Sequence, residues 1–474
     1  MRRRALLTSL AAATAAVAGC QSTNDDPSGA AEPGSGQTSP PVEEPGERTA
    51  VIDLETGPRT YALSTTSWHT DDNGRVALWF AQTATPDHPP VVRGLFENRN
   101  DFENTFDTQL IAALGDGRGD HPDRTDAHLR LAPTERNDLA EDVPELERGD
   151  DGYWRVTDAG GWMTDRVRLA AGERRGLEFA LVGGADVTGR PTGRYEFRGS
   201  PDSLRVAVWH TAEPGPVVDS RFAGREPPAL EDERTVQWYH EADPTTPAFV
   251  RPSAERLELD GRLSVEMVNH SDGTLTCGHW NLYKLVDGQW FHVDPFVHTS
   301  DCRSLPPGGR KEWSLRAFNG EAVPCNCGGG LTRGHLGGGE YAVVAGYGSP
   351  TDASAALIEL VGEPVTLAPT EDVQVERDGD TVTVTAPPYG DEELPPDATY
   401  VLTRAETAER RLVPEQVMRS GDFTGDWYAI RNMLAPVAPD VERVRLRSDG
   451  SALALRDGPR RFRFRGQAYE IRQV

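Results

Sequence analysis

Five short apolar runs, each cut off by turn residues, fill the stretch from Leu263 to Ala345, and none has the spacing of an amphipathic helix. It opens LSVEMVNHSDGTLTCGHWNLYKLVDGQWFHV. Val265 and Met267 alternate with polar neighbours at the period of two that a half-buried strand requires. Asn269-His-Ser-Asp-Gly then supplies turn formers. Further strands are expected at 279–285 and 289–293, joined by the tight Asp287-Gly288 turn, and at 311–318 and 340–347. Short strands with turn signals between them predict an antiparallel β-sandwich.

The order strand, Asn-polar turn, strand, Asp-Gly-x-Trp, Leu-x-x-Gly-x-Arg, strand, Gly-Glu-Tyr resembles the Ig-like domains of haloarchaeal and bacterial cell-surface lipoproteins, over about a quarter of the chain. The resemblance implies a binding or spacer module and no catalytic one. Similar grammar occurs earlier, in Glu97-Asn-Arg-Asn, Asp151-Gly-Tyr-Trp154, Leu169-Ala-Ala-Gly172-Glu-Arg and Gly193-Arg-Tyr195. Trp154 precedes Gly172 by as much as Trp290 precedes Gly308: 172 − 154 = 308 − 290 = 18. Two diverged copies of one unit are expected, the first carrying an insertion at 102–149.

The expected fold class is mainly β: two tandem Ig-like antiparallel β-sandwiches plus a small C-terminal α+β domain. The boundaries read as a signal peptide at 1–19, a lipidated disordered tether at 20–50, a sandwich with insertion at 51–212, a linker at 213–246, a sandwich with four cysteines at 247–363, and the α+β unit at 364–474. The last contains VQVERDGDTVTVTA with a central Asp-Gly turn, and Trp427, Ile430, Met433 and Leu434 at helical spacing. Its end holds nine arginines between Arg443 and Arg472, expected to pair with the chain's own acids on the exposed side of a sheet.

The N-terminus bears on location. Arg2-Arg3-Arg4 precedes an Ala-rich apolar run, and Val17-Ala18-Gly19-Cys20 is similar to a lipobox, cleaved before a Cys that takes a lipid. Arg3-Arg4-Ala5-Leu6-Leu7 resembles a twin-arginine export signal. Residues 21–48 are too poor in apolar side chains to fold and would set the first domain on the order of 30 Å from the lipid. The expected location is the outer face of the cell membrane, anchored to membrane lipid through Cys20. The expected further partner is a cell-envelope protein or glycan.

Charge narrows the partners. The net charge is −26 from 75 acidic and 49 basic residues, which argues against nucleic acid. Lys284 and Lys311 are the only lysines. A spread acidic surface with Arg in place of Lys reads as halophilic, because in molar salt the Debye length falls to about 3 Å and like charges tolerate one another. The segment from Gly115 to Asp126, with Arg118-Gly-Asp120, reads as a solvated loop ahead of a calcium loop or an adhesive motif.

Cys277, Cys302, Cys325 and Cys327 all fall in the second unit, and outside the membrane their even number favours disulfides, with Cys277–Cys302 preferred. The alternative is a metal- or redox-active group in which Cys325, Cys327, His335 and His279 hold Zn or Cu. Otherwise no cofactor is expected. Asn269-His-Ser271 is an Asn-x-Ser sequon with Asn269 as a glycosylation candidate, and the same Asn and Ser also read as plain turn formers. No nucleophile elbow, zinc-protease motif, phosphate loop or dinucleotide fingerprint occurs, so a non-catalytic role is expected.

Overall fold

The computed structural model describes residues 48–474 except 218, 231–233, 277, 297, 299–302, 324–329, 349–350, 388–395, 397, 409, 419–424 and 449–459. The signal peptide, the tether as far as residue 47, Cys20 and the other four cysteines lie outside the described residues. The fold is mainly β, with 48% strand against 5% helix, arranged in several sheets.

The three largest hydrophobic clusters follow one another in sequence, spanning 54–208, 239–360 and 382–471. In the first block a 12-stranded sheet runs through Arg59–Leu63, Leu204–His210, Gly193–Phe197 and the hairpin Arg118–His121/Arg124–Pro133. The ten-residue strand Arg124–Pro133 then passes on to pair with Arg174–Gly183. That strand lies next to Val91–Asn98 and then Gly74–Gln82, whose alternating burial follows the apolar positions of GRVALWFAQ.

The second block holds a six-stranded and a four-stranded sheet. One core draws on both: Leu282, Tyr341 and Ile358 come from the first, and Phe249, Met267 and Leu315 from the second. Strands at 279–285, 289–293, 311–318 and 340–347 were expected, and Trp280–Val286, Gln289–Asp294, Arg310–Ala317 and Gly339–Ala345 are found. The segment 213–246, read as a linker, contributes the strand Val236–Trp238, which pairs with Ala353–Val361 and buries Trp238. Apolar Val236 and Trp238 find an unoccupied sheet edge there.

The stretch 102–149 is more than an insertion. Its hairpin Arg118–His121/Arg124–Pro133 lies beside Gly193–Phe197 as Trp280–Val286/Gln289–Asp294 lies beside Gly339–Ala345. Trp154 belongs to a different strand, Trp154–Val156, paired with Leu146–Arg148 and with Arg174–Gly183. The equal tryptophan spacing therefore does not mark equivalent strands.

The third block is a seven-stranded sheet with Gln374–Asp378 and Thr381–Thr385 as the expected hairpin. Val384, Leu446 and Ile471 pack on Ile430 and Met433 of the helix Gly425–Leu434.

Candidate functional site

Asn269 is fully buried at the end of Gly261–Asn269. Its Nδ2 donates to the carbonyls of Gly273 (2.9 Å), Leu305 (3.0 Å) and Pro306 (3.0 Å). Its Oδ1 accepts from the Ser271 amide at 3.0 Å and hydroxyl at 2.6 Å. The nitrogen that would carry a glycan is thus spent on three backbone acceptors inside the protein. The sequon forms a structural turn, the plainer of the two readings its residues allow.

The same network stands in the first block. Asn98, also fully buried, donates through Nδ2 to Phe102, Leu169 and Ala170 carbonyls at 2.9, 3.0 and 3.0 Å, and accepts at Oδ1 from the Asn100 amide at 3.0 Å. Two of the three carbonyls in each block come from Leu169-Ala-Ala-Gly172 and Leu305-Pro-Pro-Gly308, the two matched motifs. Both glycines have φ of 68°, a turn that favours a residue without Cβ. At Gly308 a Cβ would also lie 2.5 Å from the Ala207 methyl of the first block. A second shared device is the tyrosine two residues after Gly193 and Gly339. Tyr195 donates its hydroxyl to the Pro191 carbonyl at 2.8 Å, and Tyr341 donates to the Gly337 carbonyl at 2.7 Å.

The histidines of the second block gather near Asn281. Its Oδ1 lies 3.1 Å from Nε2 of His292 and 3.1 Å from Nε2 of His298, so both imidazoles carry their proton there when they bond it. His279 stacks on His298 at 4.4 Å between centroids. Burial and the neighbouring His279 hold His298 below the usual histidine range. His335 sits elsewhere: its Nε2 meets Glu321 Oε1 at 2.9 Å, and burial lowers its pKa against the pull of that carboxylate. Of the residues proposed for metal, His279 and His335 thus have separate surroundings, and Cys325 and Cys327 lie outside the described residues. Among the described residues no group of three metal-ligating side chains occurs.

Sequence reasoning missed the junction between the second and third blocks. Glu415, 1% exposed on the short helix Pro414–Val417, pairs through Oε1 with the Lys284 ammonium. The same oxygen accepts from the Gly337 amide at 3.2 Å, and Lys284 also donates to the Gly338 carbonyl at 3.1 Å. Arg333 donates to the Glu415 carbonyl at 2.8 Å, and Gln416 to that of His292 at 2.9 Å. The available signal was a lysine kept in a chain that otherwise uses arginine; a compact ammonium suits this narrow space where a guanidinium fork does not.

The segment around Arg118-Gly-Asp120, read as a loop, is a strand lining a cleft of about 410 Å³ with His121, Arg124 and Arg194. Arg118 pairs with Asp120 at 2.6 Å and Arg124 with Asp126 at 2.7 Å. Those two carboxylates are engaged by guanidiniums, which leaves little for a calcium ion.

No family model matches the chain, and no curated protein matches it. Among solved structures it is similar to a polysaccharide lyase at 11% identity, covering 66% of this chain and 36% of that one, with a TM-score of 0.14. It is similar to red sea bream transglutaminase at 10% identity, over 63% of this chain and 32% of the enzyme, with a TM-score of 0.14. A protein of Corynebacterium diphtheriae described as membrane anchored matches at 10% identity over 85% of this chain and 83% of its own, with a TM-score of 0.12. The chain spans about a third of the length of the first two, and likenesses this slight carry no argument about function.

Proposed function

We propose that this chain is an exported, lipid-anchored cell-surface protein whose first two blocks are tandem Ig-like sandwiches serving as binding or structural modules, without catalysis. The observation that carries the module reading is the recurrence of one buried-Asn network and one Tyr hydroxyl-to-backbone corner in both blocks. A corner of that kind is a hallmark of Ig-like sandwiches. The location rests on Val17-Ala18-Gly19-Cys20 and the arginines before it. The acid-rich, lysine-poor composition suits molar salt. The test is Cys20→Ser: the protein leaves the membrane fraction for the medium, or stays as uncleaved precursor. A mature Cys20→Ser product still in the membrane fraction overturns the anchor.

A second reading is a metal- or redox-active module at the Cys/His group of the second block. What supports it is that His279, one of the proposed ligands, has a second imidazole, His298, stacked 4.4 Å away. Metal analysis and a thiol count on protein purified in high salt decide it: bound Zn or Cu with free thiols supports this reading, and neither removes it.

A further inference from the structure

The third-block sheet buries one face on its helix and leaves the other open. Along Arg443–Ser448 the side chains alternate, so that Val444 and Leu446 enter the core while Arg443, Arg445 and Arg447 are exposed. The pairing register sets threonines on both sides of this row. Thr381, Thr383 and Thr385 lie opposite the three arginines on one side. Thr403, Val401 and Thr399 lie opposite them on the other. Arg443, Arg445 and Arg447, with Thr383, Thr399, Val401 and Thr403, line an open trough of about 980 Å³.

The expectation was that these arginines pair with the chain's own acids. Part of the face does so: Glu470 binds Arg461 at 2.8 Å and Arg472 at 2.6 Å, and the two guanidiniums pull its pKa down. Glu376, on the edge strand, is the other carboxylate lining the trough. Among the described residues, no ion pair or hydrogen bond engages the guanidiniums of Arg443, Arg445 or Arg447. In a chain with 75 acidic and 49 basic residues, three cations thus stand in line on one strand with no carboxylate paired to them among the described residues.

We infer that the Arg443–Arg445–Arg447 row, flanked by threonine hydroxyls, is a docking surface for a linear acidic polysaccharide; this deepens the reading of the chain as a cell-surface binding protein. Alternate residues of a strand repeat at about 6.7 Å, giving a straight line of evenly spaced cations. A guanidinium fork meets a carboxylate through two parallel hydrogen bonds, a contact short enough to persist where salt screens longer-range attraction. The threonine hydroxyls on either side both donate and accept, as a polymer bearing hydroxyls between its carboxylates requires. Among the described residues lining the trough there is no aromatic ring for stacking nucleobases, and Val401 and Val474 are too little apolar surface to enter a membrane.

The test is binding of the full mature protein, in high salt, to polygalacturonate, with dextran as the neutral control and phosphatidylglycerol vesicles as the lipid control. Polygalacturonate is expected to bind and dextran is not. The R443Q/R445Q/R447Q variant is expected to bind about tenfold or more weakly, and T399V/T403V about threefold more weakly. On the wild type, polygalacturonate is expected to shield these three arginines from phenylglyoxal, a readout independent of how the variants fold. Equal binding by wild type and triple variant, absence of that protection, or preference for the vesicles overturns the inference. A failed anchor shows instead in the Cys20→Ser fractionation, so the two failures are distinguishable.

Discussion

The first and second blocks solve the same local problem identically and close their sheets differently. In each, a strand ends in a buried Asn whose amide bonds three carbonyls, two from a Leu-x-x-Gly turn and one from the Asn's own loop four residues on. In the first, Arg124–Pro133 runs long enough to pair on both edges and joins the block's main strands into one sheet. In the second, Gln289–Asp294 is six residues, pairs with Trp280–Val286, and the sheets stay separate. What is kept is the device that satisfies buried backbone groups at a turn, where no water is available. What differs is the hairpin, whose length changes the sheet without touching that device.

The sharpest way to break this comparison is to remove the device from each block in turn. Asn98→Ala and Asn269→Ala each leave one buried and two partly buried carbonyls without their donor and open a small void, so each is expected to cost about 2–3 kcal/mol. Denaturant unfolding of the two variants checks it. A large loss at Asn269 with less than about 1 kcal/mol at Asn98 would sink the equivalence of the networks.

Leu169-Ala-Ala-Gly172 and Leu305-Pro-Pro-Gly308 were legible in the sequence because a φ of 68° calls for glycine and the residue types survive divergence. So were Gly193-Arg-Tyr195 and Gly339-Glu-Tyr341. Trp154 and Trp290 misled, because a spacing of 18 residues counts positions and says nothing of pairing partners. Asn269 left two readings open, because a sequon and a buried turn plug use the same residues, and the carbonyl contacts bear out the plug. The Lys284–Glu415 pair joins residues 131 apart, a separation invisible to any local pattern. The Arg443 row was visible as composition, and its lack of acidic partners appeared only once the register was known.

The residue after each plug sharpens the comparison. In the first block it is Arg99, half exposed and paired with Glu97 at 3.2 Å. In the second it is His270, stacked on Trp209 of the first block at 5.0 Å and edge-on to Phe249, its Nδ1 donating to the Pro214 carbonyl at 2.6 Å. Burial pushes its pKa down to about 4, with Arg310 and Arg251 adding to the effect and the Pro214 bond opposing it. The folded state thus favours the neutral ring. The associated stability is complete above the unfolded pKa near 6.5 and is lost as pH falls from there towards about 4. The loss is about 3 kcal/mol by proton linkage. Melting of wild type and His270→Gln between pH 7 and pH 4 checks it, the variant showing a shallower fall. Identical pH profiles would remove His270 as the cause.

The smallest expected effect concerns the tyrosine corners. Tyr195→Phe and Tyr341→Phe each delete one hydroxyl and its bond to a carbonyl four residues upstream, at an expected cost of about 1 kcal/mol. The two are not expected to be equal. The Pro191 carbonyl also lies near the Arg190 backbone, which accepts a hydrogen bond from Arg59 at 2.7 Å and so helps hold that segment in place. Gly337 instead has its amide on the Glu415 carboxylate, and the Lys284 ammonium lies 5.2 Å from the Tyr341 ring centre. Loosening Gly337 weakens a contact on which the Lys284–Glu415 pair depends, and a buried ion pair is sensitive to loss of the bonds that surround it. Tyr341→Phe is therefore expected to exceed Tyr195→Phe by a few tenths of a kcal/mol. In a Glu415→Gln background that excess is expected to shrink, since the charge it supports is gone. A double-mutant cycle between Tyr341 and Glu415 reads the coupling directly. A cycle that closes to zero would mean that the corner of the second block is as isolated from its neighbours as a purely local turn.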